Sequence, residues 1–156
     1  MKYFFDTEFI EYPCTIDLIS IGIVAEDGRE LYLQSSEVDW SKADEWIIKN
    51  VKAHLHNTSI SRLSMREEIL EFVGDDPDPE FWAYVGAFDW VGLVWLIGRL
   101  LELPSNWPFR FEELKDLKKR AGNPMLPEQQ GTEHLAIADA RWNKEVYDFL
   151  IPLQPH

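Results

Sequence analysis

The sequence predicts an α/β fold in which helices cover both faces of a sheet. Two observations lead to this prediction. Three strand-like segments joined by short turns open the chain, and a nearly all-apolar segment, Phe81–Ala87, follows among segments with helical spacing. A strand that is apolar on both faces belongs in the interior of a covered sheet. With 156 residues, no internal repeat and no long linker, residues 1–156 are expected to form one domain.

The opening segments indicate an antiparallel meander of three strands. Residues 2–6 form the first strand, the alternating residues 16–25 the second, and Glu30–Gln34 the third. Glu26-Asp27-Gly28 supplies a tight turn before the third strand, because Asp-Gly accepts the positive φ angles that such a turn demands.

The rest of the chain alternates between helical and loop patterns around the strand at 81–87. Apolar residues at helical spacing, bounded by capping residues, glycine or proline, predict five helices. These span residues 39–51, from Ser59 or Ser61 to about Gly74, 90–101, 111–120 and 134–150. Proline content predicts loops over 75–79, 104–108 and about 127–133.

The charge balance is strongly acidic, because 28 Asp and Glu residues outnumber 15 Lys and Arg residues and give a net charge of −13. Such a field repels long polyanions, and a basic face typical of nucleic-acid binders is not evident. A phosphate substrate would need metal cations or a small basic patch. The densest basic cluster consists of Lys115, Lys118, Lys119 and Arg120. A solvated helix face is its ordinary explanation, and contact with phosphates is the alternative.

Cysteine content and hydropathy bear on the compartment. A single cysteine, Cys14, excludes an internal disulfide and fits a reducing environment. The N-terminus lacks the pattern of a secretory signal, and no stretch reaches the roughly 18 apolar residues of a membrane span. We therefore expect a soluble, cytoplasmic protein without a membrane partner.

Four carboxylates stand out from the rest. Asp6 and Glu8 follow an apolar strand and project from the same face of it, which places like charges close together unless a cation lies between them. Asp89 follows the buried strand, where α/β sheets present functional groups. Asp139 lies in the last helix between two alanines. Taken singly, each has an ordinary explanation as a solvated acidic residue.

His134 precedes Asp139 by five residues. On one continuous helix their side chains would diverge by about 140°, so they converge only if His134 belongs to the preceding loop. Oxygen ligands favour Mg²⁺ or Mn²⁺, and four carboxylates suit a two-metal phosphodiester hydrolase. A histidine can then accept a proton from the attacking water near neutral pH.

The ordered set of these motifs resembles a known enzyme family. Asp6-Thr-Glu8, then Phe88-Asp89, then His134 five residues before Asp139, are similar to the DEDDh 3′–5′ exonucleases of the ribonuclease H-like fold. The Asp-Thr-Glu-Phe opening, the small size and the Gly-Ala-Phe-Asp element further resemble the small bacterial and phage exoribonucleases related to ribonuclease T and typified by a mycobacterial member. The resemblance covers nearly the whole chain and implies a mixed sheet, in which the meander continues into parallel strands, flanked by helices.

The resemblance also implies an activity and its residues. It implies a metal-dependent 3′–5′ exoribonuclease that releases nucleoside 5′-monophosphates from single-stranded RNA 3′ ends, overhangs or short oligonucleotides. Asp6, Glu8, Asp89 and Asp139 would bind two Mg²⁺ ions, with Mn²⁺ as a substitute, and His134 would be the general base. Phe9 or Phe88 would offer a face to the terminal base, although core packing explains both equally well.

Two departures and three alternatives stay open. Relatives often follow the first motif with Thr and Gly, where this chain has Phe9 and Ile10, and many carry Asn where this chain has Val85. DNA remains an alternative substrate, and a non-catalytic protein-interaction domain of the same fold is an alternative of another class. Homologous enzymes are often dimers, so a homodimer through helix 90–101 is a further hypothesis, with burial of that helix as the competing explanation.

Overall fold

The computed structural model describes residues 1–56 and 58–155 and confirms an α/β fold with a mixed five-stranded sheet flanked by helices. The strand order is β3-β2-β1-β4-β5. The strands are β1 (Lys2–Tyr12), β2 (Thr15–Ala25), β3 (Glu30–Gln34), β4 (Glu80–Ala83) and β5 (Glu112–Glu113). The helices are α1 (Glu45–Asn50), α2 (Arg62–Val73), α3 (Ala87–Ile97), α4 (Leu114–Arg120) and α5 (Ala136–Leu150). None of the helices in these two ranges combines the length and apolar character that crossing a membrane requires.

The first three strands form the expected antiparallel meander, and β4 and β5 add to it in parallel. Alternate side chains of β1 reach opposite faces of the sheet. Tyr3 and Phe5 pack into the core beneath α2 and α3, whereas Phe4 packs beneath α4 and α5 against Val146 and Leu150. Helices therefore cover both faces, as the sequence predicts.

The first strand is longer than predicted, and its extra residues leave one edge of the strand unpaired. The sequence pattern ends it at Asp6, but β1 continues to Tyr12 because residues 7–12 pair with the second strand of a long hairpin. On its other side, β1 pairs with β4 only through Lys2–Phe4. Beyond Phe4, one edge of the central strand is therefore open.

The buried strand is shorter than predicted. It ends at Ala83 instead of Ala87, because Val85 adopts a left-handed backbone conformation with φ 57° and α3 begins at Ala87. The Glu113 side chain accepts hydrogen bonds from the backbone N–H groups of Val85 and Gly86, at 2.8 and 3.2 Å. This contact joins residues distant in sequence and fixes the turn into α3.

Three predicted helices also have different bounds. The predicted helix over 39–51 is divided into a 3₁₀ turn at 40–42 and α1, with Asp44 as the N-cap of α1. The predicted helix over 111–120 contributes its first residues to β5, so that only Leu114–Arg120 is helical. Helix α3 ends at Ile97 instead of Leu101, because Gly98 follows with a positive φ angle.

The N-terminus of α5 lies directly on β2 at Gly22. A Cβ atom at this glycine would lie 2.4 Å from the Ala136 carbonyl oxygen and 2.5 Å from the Ile137 Cα. Gly22 also pairs with Asp6 across the sheet. The absence of a side chain at this position therefore sets how closely α5 approaches β1.

We expect Gly22→Ala to destabilise the protein by about 1–3 kcal/mol, since the added methyl group would collide with the backbone of Ala136 and Ile137. Urea unfolding measures the loss. Gly92→Ala is the matched control, because the atom nearest to its Cβ would be the side-chain Cδ1 of Leu18 at 3.4 Å and alanine is favoured in a helix. Equal stability of the two variants would contradict the tight approach of α5.

Candidate active site

Three carboxylates converge on the face of the sheet that α5 covers. Asp6 and Glu8 alternate with Thr7 along β1 and share the face of Phe4, as their spacing predicts. Asp139 lies in the first turn of α5. One oxygen from each of these three carboxylates lies within 4.8 Å of the others, which is close enough for a shared metal ion.

Asp89 reaches the same cleft from the other side of β1. It lies in the first turn of α3, and its Oδ1 accepts hydrogen bonds from the Thr7 backbone N–H at 2.9 Å and from the Thr7 hydroxyl at 2.6 Å. The backbone donor lies on the strand edge that β4 has left open. The early end of β4 thus gives Asp89 access to the carboxylates of β1.

The electrostatics of this cluster are unfavourable for four negative charges. Burial raises the pKa of Asp6 well above its ordinary value, and the three neighbouring carboxylates raise it further. Burial, and then the charges of Asp139 and Asp89, raise the pKa of Glu8 to about 8. Burial also raises the pKa of Asp89 and that of Asp139. Such a cluster requires either protons or a cation near neutral pH.

His134 lies outside the last helix, as its convergence with Asp139 requires. The predicted helix over 134–150 begins at Ala136, and His134 adopts a left-handed conformation with φ 60°. Its ring packs edge-on against Trp46 of α1, with 4.7 Å between ring centroids. The structure therefore brings together all five residues that the sequence motifs single out.

The five residues line one open cleft of about 340 Å³. Its other lining residues are Thr7, Phe9, Tyr84, Gln129, Trp142 and Asn143. Two of these hold neighbouring elements in place. The Gln129 amide donates to Asp139 Oδ1, and the Asn143 amide donates to the Phe5 carbonyl oxygen at 2.8 Å, which joins α5 to the open edge of β1.

The sequence that forms this cleft is similar to that of a known protein family. Residues 1–151 match the Rv2179c-like family, whose description is 3′–5′ exoribonuclease Rv2179c-like domain. The chain belongs to this family. The expectation of a 3′–5′ exoribonuclease, drawn from the ordered motifs, is thereby confirmed at the level of the family.

Two curated relatives agree with this assignment. They are the 3′–5′ exoribonucleases Rv2179c and MT2234.1 from two strains of Mycobacterium tuberculosis. Each is 42% identical to this chain over 147 residues, which covers 90% of this chain and 88% of the relative. The family match over residues 1–151 spans all three motif regions, from Asp6 to Asp139.

The two phenylalanines proposed for base contact occupy different positions. Phe9 lines the cleft beside Glu8, where the strand register shifts between these two residues. Such a bulge lets consecutive side chains reach one site. Phe88 packs edge-on against Phe9 at 6.2 Å, is 51% exposed and lines a neighbouring groove with Trp95. Core packing does not account for Phe88.

The sequence did not predict that Gln129 and Asn143 line the cleft or that Trp46 contacts His134. The spacing of Trp46 indicates a core or interface position, yet Trp46 is 50% exposed and contacts His134. Gln129 lies in a predicted loop without a distinguishing pattern. Asn143 alone carried a signal, because it follows Asp139 by four residues and thus shares its helix face.

Thr7→Val is expected to lower activity by about 10–100-fold, because a hydroxyl that orients a site carboxylate is lost while the side-chain shape is kept. The backbone N–H of residue 7 would still donate to Asp89. Turnover of an RNA substrate and Mn²⁺ titration measure the effect. Thr7→Ser retains the hydroxyl and is the control. A valine variant as active as the serine variant would exclude a positioning role for this hydroxyl.

Proposed function

We propose that this protein is a divalent-metal-dependent 3′–5′ exoribonuclease of the DEDDh type with a ribonuclease H-like fold. The observation that carries the proposal is the convergence of Asp6, Glu8 and Asp139 within 4.8 Å, with Asp89 and His134 lining the same cleft. The chain belongs to a family of 3′–5′ exoribonucleases, which supports the reaction class.

The chemistry of the donor set fits a hard divalent cation. The cluster offers carboxylate oxygens, which are the ligands that Mg²⁺ and Mn²⁺ prefer. Burial, and then the neighbouring carboxylates, raise the pKa values of Asp6 and Glu8, and a cation bound among these groups would offset their repulsion. We infer that Asp6, Glu8, Asp89 and Asp139 hold two Mg²⁺ ions, for which Mn²⁺ can substitute. When bound, such ions activate water and stabilise the charge on the leaving oxygen.

The remaining residues supply proton transfer and orientation. In this proposal His134 accepts a proton from the attacking water, and its T-shaped contact with Trp46 limits rotation of its ring. The Gln129 side-chain amide donates a hydrogen bond to Asp139 and orients this carboxylate in the cleft. Thr7 does the same for Asp89 through two hydrogen bonds. Hydrolysis then releases a nucleoside 5′-monophosphate and leaves the RNA one residue shorter.

The proposed binding site for the 3′-terminal base of the RNA is the pair of phenylalanines beside the carboxylate cluster. Phe9 faces the cleft and Phe88 stands next to it, so the terminal base can stack on Phe9 while Phe88 supports that ring. Stacking contributes about 1–3 kcal/mol per base and tolerates any sequence. The acidic charge of −13 favours short or single-stranded substrates over long duplexes. We retain as proposals a single domain over 1–156, a cytoplasmic location and a homodimer.

The deciding experiment compares RNA and DNA oligonucleotides of one sequence, each labelled at the 5′ end. With Mg²⁺, we expect a ladder of RNA products that shortens from the 3′ end, and with EDTA no products. Equal or faster shortening of DNA would contradict the preference for RNA. Intact RNA in the presence of either metal would favour a non-catalytic interaction domain of the same fold.

A further inference from the structure

Helix α4 presents the densest group of uncompensated cations on this acidic protein. Seven of the fifteen lysines and arginines form ion pairs within residues 1–56 and 58–155. Of the eight others, four belong to α4, and none of these four has an acidic partner within 4 Å in the same ranges. They are Lys115, Lys118, Lys119 and Arg120. Because no acidic side chain of these ranges pairs with them, these cations are available to an anion from outside the protein.

Three of these cations share one side of the helix. Lys115, Lys118 and Lys119 are spaced i, i+3 and i+4, whereas Leu114 and Leu117 turn into the core beneath α4 and α5. Lys115 and Lys119 are exposed and Lys118 is half-buried. The lysine face, defined as these three residues, is therefore presented to solvent along the whole helix.

The lysine face begins beside the catalytic cleft. Parallel pairing places Glu113 opposite Ala83, and the next residue, Tyr84, lines the cleft. The Glu113 carboxylate also accepts hydrogen bonds from the backbone N–H of Val85 and, at 2.9 Å, from that of Lys115. One side chain thus joins the start of α4 to the turn that leads into Asp89.

The lysine face lies close enough to the carboxylates to contact RNA that extends just outside the cleft. Helix α4 follows β5, which lies two strands from β1, so Lys115 begins roughly 10 Å to the side of Asp6. Lys119 lies about 6 Å further along the helix, at 1.5 Å per residue. An RNA strand that runs from the cleft toward α4 would place backbone phosphates over this span. Lysines contact phosphates as point charges and do not select bases.

We propose that the lysine face of α4 binds backbone phosphates of the RNA strand upstream of the residue being removed. This inference rests on the proposed exoribonuclease function. Such binding would make longer RNA chains, which extend from the cleft to α4, better substrates than dinucleotides. Dinucleotides carry no phosphate upstream of the residue being removed. Such binding also explains how a protein of this net charge retains a polyanionic substrate.

The test uses the triple variant Lys115→Gln, Lys118→Gln, Lys119→Gln and an RNA dodecamer beside a dinucleotide of matching 3′ sequence. At about 50 mM NaCl, we expect the ratio of kcat/KM values for dodecamer and dinucleotide to fall about ten-fold or more. Each lost phosphate contact on a single strand removes about 0.7 from the slope of log affinity against log salt, so the dodecamer slope should decrease by about 2.

The control is Arg66→Gln, Arg99→Gln, Arg110→Gln, which changes the net charge equally at exposed positions outside the cleft. It should leave the ratio and the slope unchanged. An unchanged ratio in the lysine variant, or an equal loss in the control, would overturn the inference.

Binding of a fluorescently labelled dodecamer, followed by anisotropy, separates this inference from the proposed function. If the parent protein hydrolyses neither substrate, the proposed function fails. The anisotropy titration then still decides whether α4 binds RNA. Weaker binding by the lysine variant alone supports the inference, and equal binding by all three proteins rejects it.

Discussion

His134→Ala is expected to lower the rate of RNA hydrolysis by about 10²–10⁴-fold, because a general base positioned at the nucleophilic water is lost. His134 lines the cleft of the carboxylates and is not one of the three residues that form the close acidic cluster. The variant should therefore keep its affinity for Mn²⁺ while kcat falls. Single-turnover kinetics and calorimetric Mn²⁺ titration measure the two effects separately.

The backbone of His134 requires a second variant. Its φ of 60° is a conformation that asparagine tolerates better than alanine. His134→Asn should thus keep the local turn and show the same loss of rate as the alanine variant. His54→Ala removes an exposed histidine outside the cleft and is the matched control. Turnover by either His134 variant at the parental rate would refute the role of this residue as the base.

The sequence motifs single out five candidate residues but do not predict the geometry that unites them. The ordered motifs single out Asp6, Glu8, Asp89, His134 and Asp139, and the structure places all of them around one cleft. Local pattern predicts that Asp6 and Glu8 share a face, because alternation in a strand depends only on neighbouring residues. It also predicts the antiparallel hairpins, because the turn residues lie within the pattern.

The features that the sequence could not reveal depend on contacts between distant residues. The open edge of β1 exists because β4 ends at Ala83, and that end is held by Glu113, thirty positions later in the chain. Glu112 and Glu113 have little intrinsic tendency to form a strand and form β5 only by pairing with β4. The approach of Ala136 to Gly22 likewise has no local signature.

Asp6→Asn is expected to abolish most activity and yet to stabilise the metal-free protein at neutral pH. Loss of a metal ligand should lower kcat by about 10²-fold or more. In the absence of metal, however, Asp6 is half-buried among three other carboxylates, and desolvation and then their charges raise its pKa. Replacing it by a neutral isostere removes this repulsion. Thermal unfolding in EDTA, with and without added Mn²⁺, distinguishes the two effects.

The raised pKa values of the same carboxylates determine how the stability of the metal-free protein changes with pH. The pKa of Glu8 rises from 4.5 to about 8 on folding, so the native state binds more protons than the unfolded state between these values. The stability of the metal-free protein must then fall as pH rises through this range. Bound Mn²⁺ replaces the protons, so its stabilising effect should grow with pH. In a chain of this size, ~1 kcal/mol moves Tm by about 2–4 °C.

Asp6→Asn should weaken this pH dependence, because burial and the neighbouring carboxylates also raise the pKa of Asp6 and the variant lacks this titrating group. It should also reduce the gain in Tm on adding Mn²⁺, since the ligand set is incomplete. Asp75→Asn, at an exposed position outside the cleft, should follow the parent protein throughout. A metal-free Asp6→Asn variant less stable than the parent at pH 8 would mean that Asp6 supports the fold instead of opposing it. The assignment of the cluster as a metal site fails if Mn²⁺ raises the Tm of the parent protein no more than that of Asp6→Asn, which is a measurement independent of activity.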